Sequence, residues 1–148
     1  YSQELVYSII EQVRGAGINV IANFILGLPE DDQESMKQTL NLAMELNCEF
    51  ANFYSSMAYP GSRLYELAVQ NQWPLPKGWT GYSQHSLDTL PLPTNYLTGS
   101  EVLKFRDQAF QTYFGNPAYL NMVETKFGQA TLQHIKEMSS YTLIRNYE

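Results

Sequence analysis

Ile18-Asn-Val-Ile-Ala-Asn-Phe-Ile-Leu-Gly-Leu-Pro-Glu-Asp-Asp32 joins an apolar run to a helix start through a glycine turn. Ile18 to Leu26 is rich in Ile, Val and Phe. It is bounded by Gly15 and Gly17 before and by Gly27 and Pro29 after, which predicts a strand buried on both faces. With a period of two, Ile18, Val20, Ala22, Phe24 and Leu26 form a wholly apolar face. Asn19, Ile21, Asn23 and Ile25 alternate polar and apolar on the other. Such a strand suits helices outside and a filled or ligand-holding space inside. The two asparagines then need partners, which neighbouring strands, trapped water or a ligand would supply. Beyond Gly27-Leu28-Pro29, Asp31 is the expected helix cap, with Glu34 completing a capping-box pattern. The carboxyl ends of parallel strands, where this turn lies, are the usual place for ligands in α/β proteins.

Working outward, Leu5, Val6, Ile9, Ile10 and Val13 give Ser2 to Arg14 an amphipathic helical stripe ended by Gly15. Asp32 to Leu46 sets Met36, Leu40, Ala43 and Met44 on one side of a crossover helix, with the methionines read as core. Phe50 to Tyr59 is the second expected strand, carrying Asn52, Tyr54, Ser56 and Ala58 on the face directed towards the same space as Asn19 and Asn23. A hydrogen-bond ladder within that face is the alternative to ligand contact. Ser62 or Gly61 then starts a helix through Ala68.

Residues 72–99 contain four prolines and no lasting periodicity. Trp73, Trp79, Tyr82 and Tyr96 offer apolar anchors, so an ordered connection or lid is expected, crossing the end or outside of the sheet. His85 has no partner at ligand spacing and reads as a surface or packing residue. Thr98 with Glu101 predicts a capping box for a helix traced by Val102, Phe105, Arg106, Ala109, Phe110 and Tyr113 to Phe114 and ended by Gly115. Asn116-Pro117 starts a further helix through Leu120, Val123 and Phe127, broken by Gly128. A last helix follows with Leu132, Ile135 and Met138 inward and His134 solvated, and Tyr141 to Glu148 forms a short strand, a helix or a stump.

Of the 148 residues, 44% are hydrophobic and 14% aromatic, which supports a folded core. A net charge of −6 without a basic cluster argues against nucleic acid as a partner. No apolar run reaches the roughly 20 residues of a membrane span, and Tyr1 to Gly15 lacks the charged-then-apolar plan of a signal peptide, so a soluble, cytoplasmic protein is expected. Cys48 is the single cysteine and is expected to be a small buried hydrophobe. The chain is shorter than the roughly 250 residues of a complete barrel enzyme and opens at Tyr1 within a helical pattern. A piece of a longer protein is therefore expected, with a processed mature chain as the alternative.

Asn23-Phe-Ile-Leu-Gly-Leu-Pro-Glu30 resembles the Gly-x-Ile-x-Gly-x-x-Glu motif on the fifth strand of radical S-adenosylmethionine enzymes. Ile25, Gly27 and Glu30 match, and Asn23 replaces the first glycine. The likeness continues from Gly17 to Ala68 through FANFYSSMAYPGSRLYELA and into the tail EVLKFRDQAFQTYFGNPAYLNMVETKFG, and is closest in kind to the cobalamin-binding members. The resemblance implies an α/β fold, a fragment of a six-stranded partial (β/α) barrel of TIM type. Residues 1–71 would hold its last two strands, 72–99 the connection, and 100–148 a helical C-terminal extension. It implies S-adenosylmethionine as cofactor, with Ile25 and Gly27 against the adenine, Asn23 placed to hydrogen-bond cofactor or substrate, and the backbone of Ser56, Met57 and Ala58 along the adenine edge. Glu30 would stabilise the turn or receive a backbone N–H, with a first-turn helix carboxylate as its alternative role. Asn19, Asn52 and Tyr54 would face a small-molecule substrate. The 4Fe-4S cluster, its Cys-x3-Cys-x2-Cys loop and any cobalamin domain would belong to the remainder of the parent chain, so the fragment alone would be inactive. A non-catalytic α/β assembly module is the alternative, and either way the first strand's edge would be open to a homodimer. An ordinary barrel enzyme with a phosphate-bearing cofactor is disfavoured, because no glycine-rich phosphate cradle occurs.

Overall fold

The computed structural model describes residues 2–146. Among them run α1 (Gln3–Gly15), β1 (Ile21–Leu26), α2 (Gln33–Leu46), β2 (Phe50–Ser55) and α3 (Arg63–Gln70). An irregular connection with one 3-10 turn (Trp79–Tyr82) leads to α4 (Gly99–Phe114), α5 (Pro117–Phe127) and α6 (Gln129–Ser140). The fold is mixed α/β, with two parallel strands and six α-helices among the described residues. Two strands are too few to define the closure of a barrel.

β1 and β2 pair in register from Ile21 with Phe50 to Leu26 with Ser55. Both strands are shorter than the apolar runs that carry them. At the entrance, the Val20 N–H donates to the Glu49 carboxylate at 2.8 Å rather than to a strand, and Ile18 is exposed. At the exit, the Ser56 N–H reaches the Leu26 carbonyl at 2.8 Å. Gly27 then turns β1 away with φ of 79°, leaving Met57 to Tyr59 no strand to pair with.

One sheet face, with Phe24, Leu26, Ala51 and Phe53, is fully packed. Phe24 and Phe53 stack with ring centroids 5.4 Å apart, beneath Met36 and Ala43 of α2 and Val102, Ala109, Tyr113 and Phe114 of α4. Tyr119 and Val123 of α5 and Leu132 and Ile135 of α6 extend the same core. Aromatic rings of this kind supply large buried areas if their hydroxyls find partners. Tyr113 donates to the Cys48 carbonyl at 2.6 Å and Tyr119 to the Glu49 carbonyl at 3.2 Å, and burial pushes both phenols up, Tyr119 to about 12. Cys48 is buried as expected.

The opposite sheet face corrects the expectation of a strand covered on both sides. Ile21 is 62% and Ile25 53% exposed, and Asn23 between them is exposed too. The α1 stripe is half used in the same way. Val6, Tyr7 and Ile10 pack on the core, whereas Leu5 and Ile9 are exposed. Tyr7 donates to Glu45 of α2, and Arg14 pairs with Glu49 and donates to the Asn47 carbonyl, so α1 meets α2 and the segment that leads into β2.

The caps follow the sequence closely at Ser62, Thr98 with Glu101, and Asn116-Pro117. At α2 the expectation is off by one. Asp32 is the cap and Ser35 its reciprocal partner, because Asp31 is engaged in the preceding turn. In the connection, Trp79 and Tyr96 are exposed rather than anchors. The segment is held by main-chain bonds instead, from Leu90 to Gly81, Leu92 to Ser56 and Asn95 to Pro29. Residues 141–146 form neither strand nor helix, and the remainder of the expected terminal element, residues 147 and 148, lies outside the described residues, as does Tyr1.

Candidate functional site at the strand ends

The carboxyl ends of β1 and β2 lie side by side, and residues 80–96 pass over them. The turn after β1 is built by Asp31. Its Oδ2 accepts the N–H groups of Gly27 and Leu28, both at 3.0 Å, while Oδ1 accepts the Ser35 hydroxyl at 2.7 Å. Glu30 thus does not receive these turn N–H groups. It is exposed, with only a long contact of 3.4 Å from the Asn95 amide. Gly27 is required twice over: its φ is positive, and a Cβ there would overlap Val102 of α4. Close approach of a helix is therefore its demonstrated physical reason.

Asn23, Ile25, Asn52 and Tyr54 share the open sheet face, as the register requires. Asn52 donates to the Asn23 Oδ1 at 3.0 Å, so part of the polar face satisfies itself across the strands. Each amide keeps further capacity. Asn19 is exposed and precedes the strand.

Ser56, Met57 and Ala58 are buried. The main chain of Ser56 is already engaged: its N–H is given to Leu26 and its carbonyl accepts from Leu92 at 3.0 Å. Its free polar group is the hydroxyl, buried without a hydrogen-bond partner. A buried hydroxyl in this state costs about 1–3 kcal/mol unless something supplies the bond.

The two edges of the sheet differ. On β2, Ser55 gives its N–H to the Gln84 Oε1 and takes the Gln84 Nε2 on its carbonyl, each at 3.0 Å. The Phe53 carbonyl accepts from Arg106 Nε at 2.7 Å. Side chains thus stand where a neighbouring strand would be. On β1, the Val20 and Leu26 carbonyls point to β2, so by alternation the main-chain groups of Ile21, Asn23 and Ile25 point to the other edge. No strand among the described residues pairs there.

Sequence reasoning missed Asp31 in the turn, Gln84 and the Ser56 hydroxyl. Arg106 carried a signal, a cation within an apolar helical stripe, which marks a buried charge in need of partners. Among the described residues no three His, Cys, Asp or Glu side chains gather as a metal-binding group. No helix among them is long and apolar enough to cross a membrane.

No protein-family model matches the chain. Over 111 residues it is 25% identical to an uncharacterized methyltransferase of Pyrococcus horikoshii, PH0819, a match that covers 75% of this chain and 24% of the relative. The chain spans about a quarter of the length of that relative.

Proposed function

We propose that this chain is the closing portion of an S-adenosylmethionine-dependent methyl-transferring enzyme of the radical type, and that it supplies the adenosine end of the cofactor site. The observation that carries the proposal is the unequal sheet: β2 is finished by Gln84 and Arg106, while β1 presents an open edge beside a bare face. A two-strand sheet of this form suits the last strands of a larger parallel array whose earlier strands join at β1, as in a partial (β/α) barrel. The likeness to a relative bearing the name methyltransferase and the Ile25, Gly27, Glu30 pattern support the same assignment.

The residues present fit an adenosine. Ile25 offers an exposed apolar surface for a purine, the Asn23 amide has hydrogen-bonding capacity left, and the Ser56 hydroxyl lacks a partner. S-adenosylmethionine, once bound, supplies the transferable group. This chain's own work is to hold the sugar and base at the strand ends and, through residues 80–96, to shield them from water. The described residues do not fit an iron-sulfur cluster, since Cys48 is buried in the core. Cluster ligands, and any cobalamin, are assigned to the rest of the parent chain.

Titration calorimetry of S-adenosylmethionine into the protein carrying this chain tests the assignment. Saturable binding is expected, with Ser56→Ala weakening it about five- to tenfold, on the order of 1 kcal/mol. A parent protein that does not bind the cofactor would overturn it. The same open edge favours one other reading, a non-catalytic module that assembles by strand addition. A homodimer in sedimentation, with no cofactor binding, would select that reading instead.

A further inference from the structure

We infer that the cavity between β2, α4 and the C-terminal segment is a binding site for a small organic monoacid with an apolar body. The cavity measures about 680 Å³, within the range of roughly 300–1,000 Å³ that holds small ligands. Phe50, Phe110, Met138 and Leu143 give it apolar walls, and Arg106 lies in its lining.

The charge balance selects the ligand. Arg106 is 3% exposed. Its Nε donates to the Phe53 carbonyl and its Nη1 to Asp107 Oδ1 at 2.8 Å, while the guanidinium carbon lies 5.9 Å from the centre of the Phe110 ring. Neither of these bonds uses Nη2. Asp107 is also committed to Arg145, whose Nε and Nη2 reach its two oxygens at 2.9 Å each. Two guanidinium groups thus share one carboxylate, in a chain whose net charge is −6. His85 adds no compensating charge, and burial and the two arginines together hold its imidazole below the usual range. A buried cation with half a counter-charge is costly. An entering carboxylate would complete the pair by a charge-assisted hydrogen bond, as guanidinium geometry favours. The apolar walls ask that the remainder of the ligand be hydrocarbon or aromatic.

The inference does not depend on S-adenosylmethionine, and its test uses the chain without that cofactor. The probes are 6-phenylhexanoate and its neutral amide, titrated by calorimetry. The acid is expected to bind at least tenfold more tightly than the amide. Arg106→Gln should remove that preference. Because Arg106 also holds β2, two milder variants guard the test. Gln108→Glu, on the exposed rim of the cavity, should weaken the acid at least threefold and leave the amide unchanged. Met138→Trp should fill the cavity and weaken both. Equal binding of acid and amide, an acid affinity indifferent to Gln108→Glu, or binding untouched by Met138→Trp would each overturn the inference.

Discussion

Replacing Glu49 by glutamine probes the junction on which α1, β1, β2 and α5 converge. The Glu49 carboxylate accepts the Val20 N–H and pairs with Lys126 at 2.7 Å and Arg14 at 3.1 Å. Its side chain is 6% exposed. Burial alone would raise its pKa, but Lys126, Val20 and Arg14 outweigh it and hold the carboxyl at about 2, against 4.5 in an unperturbed chain. At about 1.4 kcal/mol per pKa unit, this difference contributes at most roughly 3 kcal/mol at pH 7. Arg14 and Lys126 are 31% and 39% exposed, so solvent screens the pair and about 2 kcal/mol is expected. Because the folded pKa is the lower one, the contribution is complete above the unfolded value. It is lost as pH falls from about 4.5 towards about 2, and less than half should remain at pH 3. Urea titrations of wild type and Glu49→Gln should therefore differ by about 2 kcal/mol at pH 7 and by under about 1 kcal/mol at pH 3. Carboxylates common to both proteins cancel in the comparison. A gap that stays constant across this range would refute the electrostatic account of the junction.

Gly27→Ala should cost about 2–4 kcal/mol, from a positive φ and overlap with Val102. Combining it with Val102→Ala should recover at least about 1 kcal/mol relative to additivity in a thermal-unfolding double-mutant cycle, and strict additivity would exclude the contact. Arg145→Leu strips Asp107 of a partner and frees the carbonyls of Gln84 and Ser86. About 3 kcal/mol should be lost, and chymotrypsin should cut first at Tyr141 or Leu143. Cleavage elsewhere at an unchanged rate would show that Arg145 does not clamp the tail. Gln84→Ala should accelerate amide exchange at Ser55 at a cost of about 1 kcal/mol. Undiminished protection there would mean that Gln84 does not close the edge.

Much of the order of elements was legible because it rests on local chemistry. Glycine at the ends of α1 and α4, the Thr98–Glu101 box and Pro117 at a helix start act within one turn of the chain. The strands were placed correctly but drawn too long, because a run of apolar residues does not say where its partner ends. Glu49 intercepts Val20 and Gly27 turns away, and neither event is written in a period of two. The same limit explains Asp31, whose choice of the Gly27 and Leu28 N–H groups over the α2 cap depends on the turn that only the folded chain makes. Asn23 and Asn52 could be assigned to one face from alternation, but not their bond to each other, which needs the register. Gln84 and Arg145 carry no sequence signal. Each is a polar side chain in an irregular segment, serving main-chain groups some 29 to 61 residues away.

The proposed assembly requires a sheet that stops at β2 and continues beyond β1, and hydrogen exchange reads both edges residue by residue. In the chain alone, the amides of Ile21, Asn23 and Ile25 should exchange fast while that of Ser55 is protected by Gln84. In the longer enzyme proposed above, the three β1 amides should become protected and Ser55 should not change. Fast exchange at the β1 amides in the parent as well, or protection gained only at the β2 edge, would contradict the account.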